Sequence, residues 1–126
     1  MFKRIDHVEI IPRNLEATID FYTRILQFKV KERKIVGKPP LEEIIYLTLN
    51  DTMIELLSMK NPSPPSADPQ QISYRMMAIE VRDMDEAVAF LKGKGIEISM
   101  GPVMLGTSKR AEIKDPDGLS IELRQW

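Results

Sequence analysis

The sequence predicts an α+β fold built from two tandem βαβββ modules, and three observations carry that prediction. An amphipathic helix pattern occurs twice, as RNLEATIDFY from Arg13 and as RDMDEAVAFL from Arg82. A strand-like run precedes each copy. Each half then closes on two strands joined by an Asn/Asp/Gly turn, and both closing strands contain the triplet Ile-Glu-Leu. Internal similarity of this kind means that one supersecondary unit is used twice.

The elements follow in order. His7-Val8-Glu9-Ile10-Ile11 opens the first module as a strand, and Met76-Met77-Ala78-Ile79-Glu80-Val81 opens the second. Asn14 and Asp83 stand where an N-cap is needed, with acidic residues following in the first helical turn, where the helix dipole favours them. Leu15, Ile19 and Tyr22 form an apolar stripe at i, i+4, i+7, as do Met84, Val88 and Leu91. The first helix stops near Gln27, and Phe28-Lys29-Val30-Lys31 alternates as a strand. In the second module Gly93 and Gly95 are stop signals, and Ile96-Glu97-Ile98 is expected to begin the next strand. The first closing hairpin joins Ile44–Leu49 to Met53–Leu57 through Asn50-Asp51. The second joins Arg110–Ile113 to Leu119–Leu123 through Asp115-Pro116-Asp117-Gly118.

At 126 residues the chain is expected to form one domain, with module one over about 1–60, a linker over 61–71 and module two over about 72–126. The linker reads NPSPPSADPQQ, a stiff, exposed composition with no ladder of its own. Gly37-Lys38-Pro39-Pro40 reads as a loop inside module one. A net charge of -1 steers the protein neither to nucleic acid nor to an anionic membrane surface. No apolar run is long enough for a transmembrane helix, and Met1–Asp6 shows no signal-peptide pattern, so a cytoplasmic location is expected. With no cysteine there is no disulfide framework, no thiolate nucleophile and no Cys-type zinc site. His7 is the only histidine.

Chemistry gathers at a few positions. Strand alternation puts His7 on one face with Ile5, Glu9 and Ile11, and Glu55 on one face with Met53, Leu57 and Met59. Glu122 repeats the position of Glu55 in the second module. A carboxylate in such apolar sequence must be solvated, paired or bound to a metal. Two equivalent carboxylates and the one imidazole suggest a shared cleft, in which a general base or a cation would relieve their repulsion. A half-exposed sheet with solvent-facing glutamates and a structural histidine fits the same residues. Nucleophile-elbow and phosphate-loop patterns are absent.

The run IDHVEIIPRNLEATIDFYTRIL and the closing DPDGLSIEL together resemble the glyoxalase/bleomycin-resistance/extradiol-dioxygenase, or vicinal oxygen chelate, superfamily. The resemblance covers nearly the whole chain apart from the linker. It implies that eight strands form an open, cup-shaped mixed sheet with the helices outside, and that the protein is a homodimer acting on a small molecule. In metal-dependent members four strands each supply one ligand, and three of these positions match His7, Glu55 and Glu122. The fourth falls on Met76, at the offset that relates Arg13 to Arg82. A thioether suits soft ions and is a poor partner for two hard carboxylates. What the resemblance leaves is a one-His, two-carboxylate site for a divalent ion of the Zn, Ni, Mn or Mg type, with Glu55 and Glu122 as catalytic carboxylates.

The implied activity is that of a metal-assisted lyase, isomerase or epimerase working alpha to a carbonyl, the chemistry shared by glyoxalase I and methylmalonyl-CoA epimerase. The basic residue that glutathione-dependent members often carry four positions after the first ligand is Ile11 here, so neither glutathione nor methylglyoxal is assigned. The alternative is a metal-free binding or sequestering protein of the bleomycin-resistance type. Met76 in the ligand position and the adaptable side chains of Met53 and Met59 point that way.

Overall fold

The computed structural model describes every residue from Met1 to Trp126 and divides into two compact units, Met1–Pro65 and Ser66–Trp126. The first contains β1 (Val8–Ile10), α1 (Leu15–Asp20), β2 (Lys29–Lys38), β3 (Leu41–Leu49) and β4 (Thr52–Met59). The second contains β5 (Met77–Glu80), α2 (Met84–Gly93), β6 (Met100–Leu105), β7 (Ser108–Lys114) and β8 (Ser120–Gln125). Each unit holds an open four-stranded mixed sheet, in the orders β1-β4-β3-β2 and β5-β8-β7-β6. The expected strand-helix-three-strand order is therefore present twice. No helix is long and apolar enough to cross a membrane.

Both helices begin where the caps predict. The Asn14 side chain accepts the Ala17 N–H at 2.9 Å, and the Asp83 side chain accepts the Glu86 N–H at 2.9 Å. The helices end differently. Beyond α1 a π-helical turn, Phe21–Ile25, carries the chain to Gln27, whose φ of 66° reverses its direction. The wider turn places Phe21 and Tyr22 in the core, where Tyr22 meets Phe21 and Phe28 edge to face. At the end of α2 the Gly95 N–H bonds to the Lys92 carbonyl and the Ile96 N–H to the Leu91 carbonyl, with Gly95 at φ 77°. That is the paired bonding of a Schellman stop, and it needs a residue tolerant of positive φ.

Two local expectations are corrected. Ile96–Ile98 is not a strand: the Ile96 N–H is committed to the helix end, and pairing resumes at Ser99, whose N–H reaches the Glu112 carbonyl at 2.8 Å. Gly37–Pro40 is not wholly a loop, because β2 runs through Lys38 and Lys38 pairs with Leu41 across the two prolines.

Register decides which face of each sheet is dry. In the first unit Ile45 stands opposite Leu56 and Leu47 opposite Ile54, and all four are buried with Ile10. In the second, Ala111 opposite Leu123 and Ile113 opposite Ile121 do the same, with Met84 and Leu91 of α2. The alternate residues occupy the other face, and that face carries the chemistry.

Candidate metal centre

In the parallel β1–β4 pair Glu9 is the register partner of Glu55, and in the antiparallel β3–β4 pair Tyr46 is. Three neighbouring strands thus set Glu9, Glu55 and Tyr46 side by side. His7, two residues before Glu9, extends from the same face. Its Nε2 lies 2.9 Å from Glu55 Oε2 and 3.7 Å from Glu9 Oε1, while its Nδ1 is 2.8 Å from Asp6 Oδ2. The His7 ring also stands edge-on to Tyr46, with centroids 6.2 Å apart.

Burial grades the cluster. Glu55 is only 5% exposed, whereas the side chains of His7 and Glu9 are 28% and 58% exposed. The Tyr46 hydroxyl donates to Glu55, and burial together with that bond raises the phenol above its ordinary range. His7 is raised above its usual value, first by its hydrogen bond to Asp6 and then by the negative charge of Glu55. The same bond lowers Asp6.

This wiring constrains the imidazole. Nδ1 must donate to Asp6, so a neutral ring would turn the Nε2 lone pair onto the Glu55 oxygen. Two acceptors at 2.9 Å repel unless a proton or a metal ion lies between them. The three donor atoms of His7, Glu9 and Glu55 lie within 4.8 Å of one another. Metal bonds of about 2.0–2.2 Å set neighbouring ligands roughly 3–3.5 Å apart. Small side-chain adjustments of Glu9 meet that spacing, and the Asp6 carboxylate behind Nδ1 is the usual outer-shell orienter of a metal-bound histidine. The residues fit a divalent ion.

The second unit repeats the frame with different contents. Ala78 is the register partner of Glu122, and Glu112 takes the place opposite it that Tyr46 takes opposite Glu55. Glu122 is enclosed by arginines: Arg124 Nη2 and Nε approach Oε1 at 2.6 and 2.7 Å, and Arg110 Nε is 3.2 Å from Oε2. Arg110 also pairs with Glu112, and Arg124 lies 4.8 Å over the Trp126 ring. Met76, ahead of β5, is half-buried.

A family model for the Glyoxalase/Bleomycin resistance protein/Dioxygenase superfamily matches residues 4–123. The chain belongs to that superfamily. It is 30% identical over 126 residues to a lactoylglutathione lyase of Neisseria meningitidis serogroup A, covering 97% of this chain and 90% of that protein. It is also 31% identical to human mitochondrial methylmalonyl-CoA epimerase over 134 residues, covering 97% of this chain and 73% of the other. Among solved structures it is similar to a glyoxalase family protein from Enterococcus faecalis, with a TM-score of 0.86, 29% identity and 98% of each chain covered.

Within the superfamily frame, the expected ligands divide by module. His7 and Glu55 are in contact in module one, and Glu122 is ion-paired in module two. Strand alternation puts Glu9 on the face of His7 without giving it a role, and it marks neither Asp6 nor Tyr46. Glu9 had a usable signal, its two-residue spacing from His7. Tyr46 had none, because only strand pairing brings it to Glu55.

Proposed function

We propose that this protein is a metal-assisted lyase, isomerase or epimerase that acts on a small molecule at the carbon alpha to a carbonyl. The observation that supports this best is the setting of His7, with one ring nitrogen bound to Asp6 and the other aimed at the buried Glu55. His7 and Glu55 are the residues that would hold the ion. When bound, a divalent ion of the Zn, Ni, Mn or Mg type supplies a Lewis acid for charge developing on a carbonyl oxygen.

The chain's own groups then handle the proton. Glu55 is also the carboxylate we assign as base: Oε2, the oxygen facing His7, would serve the ion, and Oε1 would accept the alpha proton and return it to the same or the neighbouring carbon. The Tyr46 hydroxyl, donating to Glu55, keeps that carboxylate aimed across the sheet. Glu122, the other catalytic candidate, is engaged by the guanidinium groups of Arg110 and Arg124, so we assign the base to Glu55 instead. The two named relatives, a lyase and an epimerase, fall in the reaction classes proposed.

The test joins metal analysis to proton exchange. Protein incubated with Zn²⁺, Ni²⁺, Mn²⁺ or Mg²⁺ and then desalted should retain about one ion per chain. It should also catalyse deuterium exchange alpha to the carbonyl of 2-oxo acids or thioesters, and His7→Ala should lose both properties. Wild-type protein that retains no ion and exchanges no proton rejects the proposal.

The second module favours one other reading. Met76, Ala78 and the arginine-bound Glu122 offer an ion little, so a metal-free small-molecule binding protein is the alternative. It predicts that aromatic or amphipathic ligands raise the melting temperature in EDTA while metals do not.

A further inference from the structure

We infer that Glu9 joins His7 and Glu55 as the third ligand of an ion held wholly within the first module, in place of ligands that the second module does not supply. The inference rests on the metal-assisted reading and deepens it by assigning the ligand set.

Backbone register carries the argument. Glu9 and Glu55 are partners on adjacent parallel strands, so both side chains leave the same face about 4.8 Å apart at the backbone. His7 precedes Glu9 by one strand repeat. No loop has to close to assemble these donors. The equivalent positions in the second module are Met76, Ala78 and Glu122, a weak thioether, a methyl group and a carboxylate held by two guanidinium groups. Freeing Glu122 for an ion would break its ion pairs with Arg110 and Arg124, a cost that Glu9 does not carry. Glu9 makes one contact to His7 at 3.7 Å and is 58% exposed, so it can turn onto an ion without breaking packing.

Charge agrees with geometry. Asp6, Glu9 and Glu55 face a single imidazole, three carboxylates about one ring, while Arg4 and Lys31 act on Asp6 and form no ion pair with Glu9 or Glu55. An ion bound by one imidazole and two carboxylates is of the oxygen-preferring kind, and Mn²⁺ is a suitable probe.

The experiment titrates the full-length chain with Mn²⁺ alone, reading the free-ion signal by electron paramagnetic resonance. Wild type, Glu9→Gln and Glu122→Gln are compared, each first checked for an unchanged circular dichroism spectrum. Glu9→Gln replaces an exposed side chain and should fold. It is expected to weaken Mn²⁺ binding at least tenfold, at or beyond the roughly 10–100-fold effects known for outer-shell partners. Glu122→Gln is expected to stay within about twofold of wild type. Wild-type affinity in Glu9→Gln overturns the inference, and so does a tenfold loss in Glu122→Gln, which would draw the second module into the site. Wild type that binds no Mn²⁺ in this titration also overturns the inference, whereas the metal-assisted reading fails only if the desalted protein retains no Zn²⁺, Ni²⁺ or Mg²⁺ either, so the two failures are distinct.

Discussion

Ala78 stands beside Glu122 in the β5–β8 pair as Glu9 stands beside Glu55 in the β1–β4 pair. The two modules share a backbone frame but not a chemistry. Where module one places an imidazole and two carboxylates, module two places a methionine, an alanine and a carboxylate neutralised by arginine. The proposed ion site would therefore lie on one repeat only, and substitutions on the two open faces should behave differently.

Glu55→Gln tests the buried end of the cluster. It keeps a hydrogen-bonding group opposite Tyr46 and removes the charge facing His7. Saturating Mn²⁺ should raise the melting temperature of the wild type, and in the variant that rise should fall to near zero, since a ligand stabilises only the state it binds. Scanning calorimetry with and without Mn²⁺ checks this, and an undiminished shift would show that the ion binds elsewhere.

pH dependence follows from His7. Its folded-state pKa lies above the ordinary 6.5, so its contribution to stability is fully present below that value and is lost as pH rises through the folded one. In metal-free protein, stability measured by urea denaturation should carry this downward component with rising pH, and His7→Asn should remove it. Mn²⁺ affinity should run the opposite way, increasing over the same window, because the ion competes with the proton on Nε2.

Gly101→Ala should destabilise the second module by about 1–3 kcal/mol. Gly101 has φ 76°, and a Cβ there would lie 2.6 Å from the Arg110 carbonyl oxygen and 3.2 Å from Ala111 Cα. Both obstacles are backbone, so they cannot turn aside. Urea denaturation measures the loss, and a change below about 0.5 kcal/mol would mean that β6 shifts freely at its register break between Met100 and Val103.

Asp83→Ala should cost about 1 kcal/mol through the lost cap on α2. Asp83→Asn, which keeps the acceptor for the Glu86 N–H, should recover most of it. Equal losses in the two variants would assign the effect to charge at the helix start rather than to the hydrogen bond.

Much of the architecture was legible because its signals are local. N-caps at Asn14 and Asp83, apolar stripes along both helices and turn residues at Asn50 and Gly118 act within a few positions, and the structure keeps them. The repeat added the equivalence of Glu55 and Glu122. The errors fell where a local pattern met a demand from elsewhere. Ile96–Ile98 alternates as a strand should, yet the α2 stop takes the Ile96 N–H.

The sequence by itself determined two βαβββ modules, the face shared by His7 and Glu9, and the Met76 departure from the superfamily's ligand pattern. Alternation and periodicity belong to each element separately, so they can be read without knowing its neighbours. Only the tertiary structure decided that Glu9 and Tyr46 flank Glu55, that Asp6 takes one nitrogen of His7, and that Arg110 and Arg124 enclose Glu122. Those relationships depend on strand register and side-chain reach between segments distant in the chain, and the packing of the whole sheet sets both.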